Sequence, residues 1–318
     1  MDLGKTIAVR YETVDEGSAG QRIDNYLVRR LKGVPKSHIY RILRSGELRV
    51  NGGRVSQTYR LQIGDQIRIP PLRLAEPGEA VPIPAGRPLP IVWEDDALLV
   101  VDKPAGLAVH GGSGVSYGVI EQLRRQRTDA RFLELAHRLD RETSGLLIVA
   151  KKRSALTVLH DRMRRGAIGK RYLTLVQGRW LEPCRHLRQP LTKYLTEQGE
   201  RRVRVDRDGK AAHSIVHLVR RWQHCSLLEV ELRTGRTHQI RVHLTDAGFP
   251  LMGDAKYGDF ALNKRLERQG LDRMFLHAWR LDFRHPLTDA RIRLEAPLPE
   301  ALEAFLAEVE QTQEREHG

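Results

Sequence analysis

One aspartate stands between two arginines in the segment HRLDRETSG, which spans residues 137–145. The aspartate is Asp140, and the arginines are Arg138 and Arg141. Nearby cations favour the ionised form of a carboxyl group, so the pattern predicts a charged Asp140 that could act as a nucleophile or a base. The alternative is a structural ion pair that ties the loop to the protein surface.

The residues that follow this segment must position Asp140. The run Leu146–Ala150 is entirely apolar, which predicts a strand that is buried on both faces. A loop that leads into such a strand is anchored on a rigid base. This placement suits a catalytic aspartate.

Tyr172 is a second candidate for chemistry. It lies in KRYLTLV, residues 170–176, which predicts a strand with Tyr172 on the same face as Thr174 and Val176. A core tyrosine with a satisfied hydroxyl group is the alternative to a role in a site.

A third polar segment, RTGRTHQIR, spans residues 233–241. Its pattern predicts that a strand ends near Arg233, that Thr237 caps the next helix, and that Arg241 lies one turn inside it. His238 and Arg241 are three positions apart, so they are expected to share a face of that helix. The alternative for the arginines is a solvated basic face.

The common cofactor motifs are missing from the sequence, which has no dinucleotide-binding fingerprint, no Walker A motif and no HExxH. The loop at residues 102–112 contains glycines that could let a ligand approach the backbone, but an ordered loop with turn glycines is favoured. Metal binding by His238 and His243 is not expected, because a spacing of five residues is poor helical geometry. We therefore expect neither a cofactor nor a metal.

The chain is strongly basic, with 54 lysines and arginines against 40 acidic residues and a formal charge of +14 in 318 residues. Residues 21–70 carry eleven basic and three acidic side chains, a net charge of +8. Such a balance implies an anionic partner, and nucleic acid is the leading candidate. Apolar residues at helical spacing in this segment, followed by short strands, predict a small basic α+β module.

Seven of the fifteen prolines lie between Pro70 and Pro90, which predicts an extended linker between two domains. The predicted organisation is an N-terminal extension at 1–19, the basic module at 20–70, the linker at 71–90, a larger domain at 91–308 and a polar, frayed tail at 309–318.

The larger domain is predicted to be α+β, with helices around a mostly antiparallel sheet, because strands and helices do not strictly alternate. Its predicted strands are Ala97–Val101, Gly145–Ala150, Arg171–Val176, Ser214–Val219, Leu227–Leu232 and Leu281–Phe283. Its predicted helices are Gly118–Arg125, Leu156–Arg165, Thr237–Ala247 and one from Glu300. The apolar runs are too short to span a bilayer, and two cysteines make no disulfide framework, so a cytoplasmic protein is expected.

Several motifs together resemble the RluA family of pseudouridine synthases. HRLDRETSG resembles that family's HRLDxxTSG motif, KRYL its tyrosine motif and GRTHQIRVH its third motif. VDKPAGLAVH is similar to its first motif, with Asp102 where asparagine is more usual. Residues 20–80 resemble an S4 RNA-binding module, and the resemblance as a whole covers roughly residues 20–300.

The resemblance implies a mostly antiparallel mixed-sheet catalytic domain behind a small S4-like domain. It implies isomerisation of specific uridines in 23S ribosomal RNA, free or in large-subunit assembly intermediates, by a monomer without a cofactor or metal. By the same resemblance Asp140 is the nucleophile, Tyr172 stacks on the uracil, and Arg241 pairs with the catalytic carboxylate. Arg138 is expected to fill the gap left by the flipped nucleotide, and His238 to contact the substrate.

Other functions remain open at this point. The main alternative is a non-catalytic RNA-binding or ribosome-assembly factor, in which Asp140 would be a structural ion pair. An S4-linked RNA methyltransferase is disfavoured, because no glycine-rich dinucleotide-type motif follows a strand. A glycoside-cleaving enzyme would need a second positioned carboxylate.

Overall fold

The computed structural model describes residues 6–31, 34–73, 88–111 and 117–317. The chain divides into two units, residues 1–86 and 87–318. Lys32 of the basic segment and residues 74–87 of the predicted linker lie outside the described residues. None of the helices in the described part is long and apolar enough to cross a membrane.

The first unit is a small α+β domain. Its elements in chain order are β1 Thr6–Ile7, β2 Arg10–Thr13, α1 Ile23–Arg30, α2 Lys36–Ser45, β3 Arg49–Val50, β4 Gln66–Ile69 and β5 Leu72–Arg73. Strands form an antiparallel sheet in the order β2-β4-β3, and β1 pairs with β5. Apolar residues at helical spacing in both helices are buried in one core, as predicted; they include Ile23, Leu27, Ile39 and Ile42.

Turn residues end the elements of this unit where the sequence indicated. Gly46 adopts a left-handed conformation and ends α2, with a φ of 75°. Asn51 and Gly52 both have positive φ and turn the chain after β3.

Strands outside the predicted basic module at 20–70 also belong to this unit. Strand β2, inside the predicted N-terminal extension, pairs with β4. Strand β5, inside the predicted linker, pairs with β1. The sequence pattern indicated the short strands that correspond to β3 and β4 but not β2 or β5.

The second unit contains the remaining elements. They are β6 Ile91–Glu94, β7 Leu98–Lys103, α3 Val119–Gln126, β8 Glu134–Leu135, β9 Ser144–Ala150, α4 Arg153–Arg164, β10 Gly169–Gln177, β11 Cys184–Leu187, β12 Leu191–Leu195, β13 Arg201–Val205, β14 Ser214–Arg221, β15 Cys225–Leu232, α5 Gln239–Asp246, α6 Phe260–Arg268, β16 Leu276–Arg284, β17 Arg291–Glu295 and α7 Glu300–His317.

One ten-stranded sheet organises this unit, in the order β11-β14-β15-β10-β16-β9-β7-β6, with β17 on β16 and β8 on β9. All pairs are antiparallel except β9 with β16, which is parallel. The predicted α+β class with a mostly antiparallel mixed sheet is therefore confirmed. Successive residues of β9 enter two different cores: Leu147 and Val149 pack in one, and Leu146 and Ile148 pack in the other. The prediction of a strand buried on both faces is confirmed.

The C-terminal residues were predicted wrongly as a frayed tail. Helix α7 continues to His317. Its apolar residues Leu302 and Phe305 are buried against the second unit, and Val309 packs beside them. Glu310 forms an ion pair with Arg220 of β14. The last turns of α7 are too polar for the sequence to predict them as a helix. They continue a helix whose first turns are stabilised by tertiary contacts.

Candidate active site

A cavity of about 420 Å³ opens where the loop before β9, strand β10 and the start of α5 meet. All five side chains that the sequence singled out line it: Arg138, Asp140, Tyr172, His238 and Arg241. The structure thus brings together residues that are far apart in the chain. Their chemical roles remain predictions.

A buried lysine forms hydrogen bonds to the loop that carries Asp140. Lys103, at the end of β7, is fully buried, and its Nζ donates to the carbonyls of Pro104, Leu107 and Arg141 at 2.7, 2.8 and 3.0 Å. Burial lowers the pKa of Lys103 to about 7. The first motif therefore ties its own glycine-containing loop to the loop of Asp140.

The cation that contacts Asp140 is not a sequence neighbour. The predicted flanking pair does not form, because Arg141 instead donates to Glu142 at 2.7 Å. Oδ2 of Asp140 accepts a hydrogen bond from Nη1 of Arg241 at 3.1 Å. Adjacent side chains in an extended loop point in different directions, so proximity in sequence did not predict the partner.

Arg241 is held between two carboxylates. Its Nε and Nη2 donate to the two oxygens of Asp254, both at 2.8 Å. Burial opposes the charge of Arg241, but its hydrogen bonds to Asp254 and the charges of both carboxylates raise its pKa. Burial likewise disfavours ionisation of Asp254, yet Arg241 holds the pKa of Asp254 below its usual value.

His238 has an unusual backbone conformation at the start of α5. It occupies the N-cap with a φ of 54°, in the left-handed region. The prediction that Thr237 caps this helix was therefore wrong. The turn places Nε2 of His238 3.9 Å from Oδ2 of Asp140 and Nδ1 2.8 Å from the hydroxyl of Tyr257. Burial lowers the pKa of His238 to about 4, so the ring is neutral at physiological pH.

Tyr172 lies on the central strand β10, just after a register shift against β16. The residue is only 6% exposed, yet among the described residues no hydrogen bond to its hydroxyl is found. Burial, assisted by the charge of Asp140, raises the pKa of Tyr172, so the phenol stays protonated. A buried tyrosine with an unpaired hydroxyl beside a cavity differs from the satisfied core tyrosine of the alternative interpretation.

The wall of the cavity is basic. Besides Arg138 and Arg241, four cationic residues line it: Arg164, Lys170, Arg233 and Arg236. Burial lowers the pKa of Lys170. Guanidinium and ammonium groups arranged around a cavity suit an anionic ligand such as a phosphate backbone. In the part of the chain that the structure describes, no three metal-ligating side chains are grouped to hold an ion.

Two residues of this site were missed by the sequence interpretation. Asp254 and Tyr257 lie in the segment GDAKYG, residues 253–258, between α5 and α6. The two flanking glycines around a single aspartate were the only signal in the sequence. That signal indicates a turn and does not reveal which arginine or histidine the turn contacts.

Comparison with known proteins agrees with this architecture. Residues 97–246 match the family model described as RNA pseudouridylate synthase, and residues 21–67 match the S4 domain. Ribosomal large subunit pseudouridine synthase C of Pasteurella multocida (strain Pm70) is 49% identical over 94% of this chain and 93% of its own length. The protein of the same name from Escherichia coli (strain K12) is 48% identical over 95% of this chain and 97% of its own length.

Solved structures show the same fold. Human RNA Pseudouridylate Synthase Domain Containing 1 superposes with a TM-score of 0.58 at 24% identity, covering 73% of this chain and 90% of that chain. The sequence relatives cover nearly the whole chain, the family model includes the loop of Asp140, and the mixed sheet is shared. The chain therefore belongs to the RluA family of pseudouridine synthases and carries an S4 domain ahead of its catalytic domain.

Proposed function

We propose that this protein isomerises specific uridines of 23S ribosomal RNA, free or in large-subunit assembly intermediates, to pseudouridine. The observation that carries the proposal is the contact between Arg241 and Oδ2 of Asp140, in a basic cavity that Tyr172 also lines. The names of the relatives, which refer to the large ribosomal subunit, support the choice of RNA.

The reaction begins with a uridine leaving the stack of its helix. Extruding a base costs a few kcal/mol, because stacking and pairing are lost. The side chain of Arg138 is exposed at the cavity, and its guanidinium forms no ion pair with any residue described in the structure. A planar cation can stack between bases, so we assign Arg138 to the gap that the uridine leaves.

The two carboxylate oxygens of Asp140 differ in their hydrogen bonding. Oδ2 accepts from Arg241, whereas Oδ1 has no hydrogen-bond partner among the residues that the structure describes. We assign the nucleophilic attack to Oδ1, directed at C1′ of the ribose or at the uracil ring. The bond that Oδ1 forms with the substrate is transient: the C1′–N1 bond breaks, the uracil turns, a C1′–C5 bond forms, and the bond between Oδ1 and the substrate breaks to release Asp140. N1 gains a proton and C5 loses one, so every atom except the exchanged proton is retained.

Tyr172 and His238 complete the substrate contacts in this proposal. The ring of Tyr172 packs against the uracil, and its protonated hydroxyl can take part in the proton exchange. Because His238 is neutral, it can contact the substrate without adding charge beside Asp140.

The first unit supplies further RNA contacts. Its exposed basic residues are Arg29, Arg30, Lys36, Arg41, Arg44, Arg49, Arg54 and Arg60. Such contacts to phosphates are independent of sequence, and affinity that depends on them falls steeply with salt. We also propose that the protein acts in the cytoplasm as a monomer.

The direct test is the Asp140→Asn variant, which changes one oxygen to an NH₂ group and keeps the side-chain shape. Release of tritium from 23S RNA labelled at uridine C5 measures the loss of the C5 proton. We expect Asp140→Asn to bind this RNA as the wild type does and to release no tritium. Isomerisation by the variant would contradict the mechanism, and an inactive wild type would favour the non-catalytic RNA-binding factor.

The target uridines need a separate measurement. Pseudouridines in the ribosomal RNA of cells with and without this protein would be mapped. Sites that disappear in the large-subunit RNA alone are the expected result, whereas loss only from other RNA classes would contradict the proposed substrate.

A further inference from the structure

The segment Gly253–Gly258 forms a tight turn against the active site. Gly253 has a φ of 75°, and a Cβ there would lie 2.1 Å from the carbonyl oxygen of Arg273. Asn263 closes the turn, since its Nδ2 donates to the carbonyl of Asp254 at 3.0 Å and its Oδ1 accepts from the N–H of Gly253 at 2.9 Å. The turn is therefore a defined support for its side chains.

Asp254 determines how Arg241 meets the nucleophile. Its side chain is only 1% exposed, and Oδ1 also accepts from the backbone N–H of Lys256 at 2.8 Å. Because Nε and Nη2 of Arg241 are engaged by Asp254, only Nη1 reaches Asp140. A guanidinium released from Asp254 could turn and bind both oxygens of Asp140, which is the preferred geometry of an arginine–carboxylate pair.

The hydroxyl of Tyr257 faces Nδ1 of His238, and this contact bears on which ring nitrogen carries the proton. The hydroxyl oxygen of Tyr257 accepts from the backbone N–H of Val203 at 2.9 Å, so its own hydrogen is available for Nδ1 of His238 at 2.8 Å. A neutral imidazole that accepts at Nδ1 carries its proton on Nε2. That N–H is the one 3.9 Å from Oδ2 of Asp140.

We propose that Asp254 and Tyr257 are positioning residues, which aim Arg241 and His238 at Oδ2 of Asp140 and thereby leave Oδ1 free to attack. This inference rests on the proposed function and deepens it. Neither residue needs to touch the substrate, because each acts through the side chain that it holds. The turn thus selects one of two chemically equal oxygens.

The test measures chemistry and binding separately. Asp254→Asn and Tyr257→Phe would be compared with the wild type by single-turnover tritium release from C5-labelled 23S RNA, with enzyme in excess, and by equilibrium RNA binding. For Asp254→Asn we expect a rate about 10- to 100-fold lower, the effect of removing outer partners that orient metal ligands. For Tyr257→Phe we expect a rate about tenfold lower, as for one misplaced donor. Both should bind RNA as the wild type does.

A double variant distinguishes positioning from general structural damage. Lysine lacks the planar guanidinium that binds both oxygens of Asp254 while Nη1 contacts Asp140, so in an Arg241→Lys background the Asp254→Asn change should lower the rate by less than about threefold. A structural role predicts the same rate loss in both backgrounds. If Asp254→Asn does not fold, the rate of Tyr257→Phe tests the inference, because this variant removes a single oxygen atom and should still fold.

Matched controls come from the same unit. Like Asp254, Asp95 has a carboxylate that accepts two backbone hydrogen bonds, and Asp95→Asn changes that carboxylate. Asp95 is far from the site: it contacts Leu98, which pairs with Ala150 at the opposite end of β9 from Asp140. Tyr194→Phe removes a hydroxyl on the hairpin strand that pairs with β13. Both should keep the wild-type rate. Wild-type rates in Asp254→Asn and Tyr257→Phe would overturn the inference, whereas an inactive wild type would overturn the proposed function.

Discussion

Nη1 of Arg241 donates to Oδ2 of Asp140 at 3.1 Å, although the two residues are 101 positions apart in sequence. Both side chains are largely buried, with 9% and 17% of their surfaces exposed. A buried charge needs a partner, and Arg241 and Asp140 provide each other with one. The other side of Asp140 faces the cavity. The geometry suits a carboxylate that must stay charged and remain accessible.

The Tyr172→Phe variant removes the hydroxyl of Tyr172 and keeps its ring, so it separates the contributions of the two groups. The ring should keep its place in the core, so RNA affinity and the melting temperature should be unchanged. Loss of proton handling should lower the single-turnover rate by about 100-fold, the lower range for a general acid or base. A rate equal to that of the wild type would limit Tyr172 to stacking.

Arg138 and Arg141 flank Asp140 but differ in surroundings, so they form a matched pair. If Arg138 fills the gap in the RNA helix, Arg138→Ala should slow isomerisation of a uridine in a stem more than of one in an unpaired oligonucleotide. Arg141, whose exposed side chain pairs with Glu142, should tolerate alanine on both substrates. Equal losses on the two substrates would contradict the assignment of Arg138.

Gly145 should not tolerate a side chain. Its φ is 108°, and a Cβ would lie 2.2 Å from the carbonyl oxygen of Ala278, its partner in the parallel pair of β9 and β16. We expect Gly145→Ala to lower the free energy of unfolding by about 3 kcal/mol in urea denaturation. Gly270 has a φ of 91° but no atom within 4 Å of a Cβ, so Gly270→Ala should cost only about 1 kcal/mol.

His277 should make stability depend on pH. It is fully buried; Nε2 faces the carbonyl of Ala296 at 3.1 Å, and Nδ1 faces the hydroxyl of Ser144 at 2.9 Å. Burial lowers its pKa from 6.5 to about 4. Between these values the unfolded chain binds one more proton, so stability falls as pH drops from 6.5 towards 4, by up to about 1.4 kcal/mol per pH unit.

Urea denaturation at pH 6.5 and 4.5 measures this dependence. His137 and His238, whose burial lowers their pKa values to about 3 and about 4, contribute in the same direction. His277→Gln should therefore reduce the slope by one proton without abolishing it. An unchanged slope in His277→Gln would show that this histidine does not titrate on unfolding.

Local patterns in the sequence were sufficient for the elements that carry the site. The apolar run Leu146–Ala150 predicted β9, and the spacing in the basic module predicted α1 and α2. The catalytic motifs identified the family, because they combine rare residue types in a fixed order. Periodicity, glycine turns and motifs are properties of a few consecutive residues, so a single chain displays them directly.

Contacts between distant segments were decided only by the tertiary structure. The local pattern suggested Arg138 and Arg141 as partners of Asp140, and only the resemblance to the family pointed to Arg241. The parallel pairing of β9 with β16 and the adjoining β10 and β15 bring the start of α5, and with it Arg241, to Asp140. The sequence also did not single out Asp254 and Tyr257, whose hydrogen bonds depend on a turn packed against that helix. The sequence by itself thus determined which residues could react, and the packing of the sheet decided which side chains hold them. The reason is that a hydrogen bond depends on distances in space, which the spacing of residues along the chain does not give.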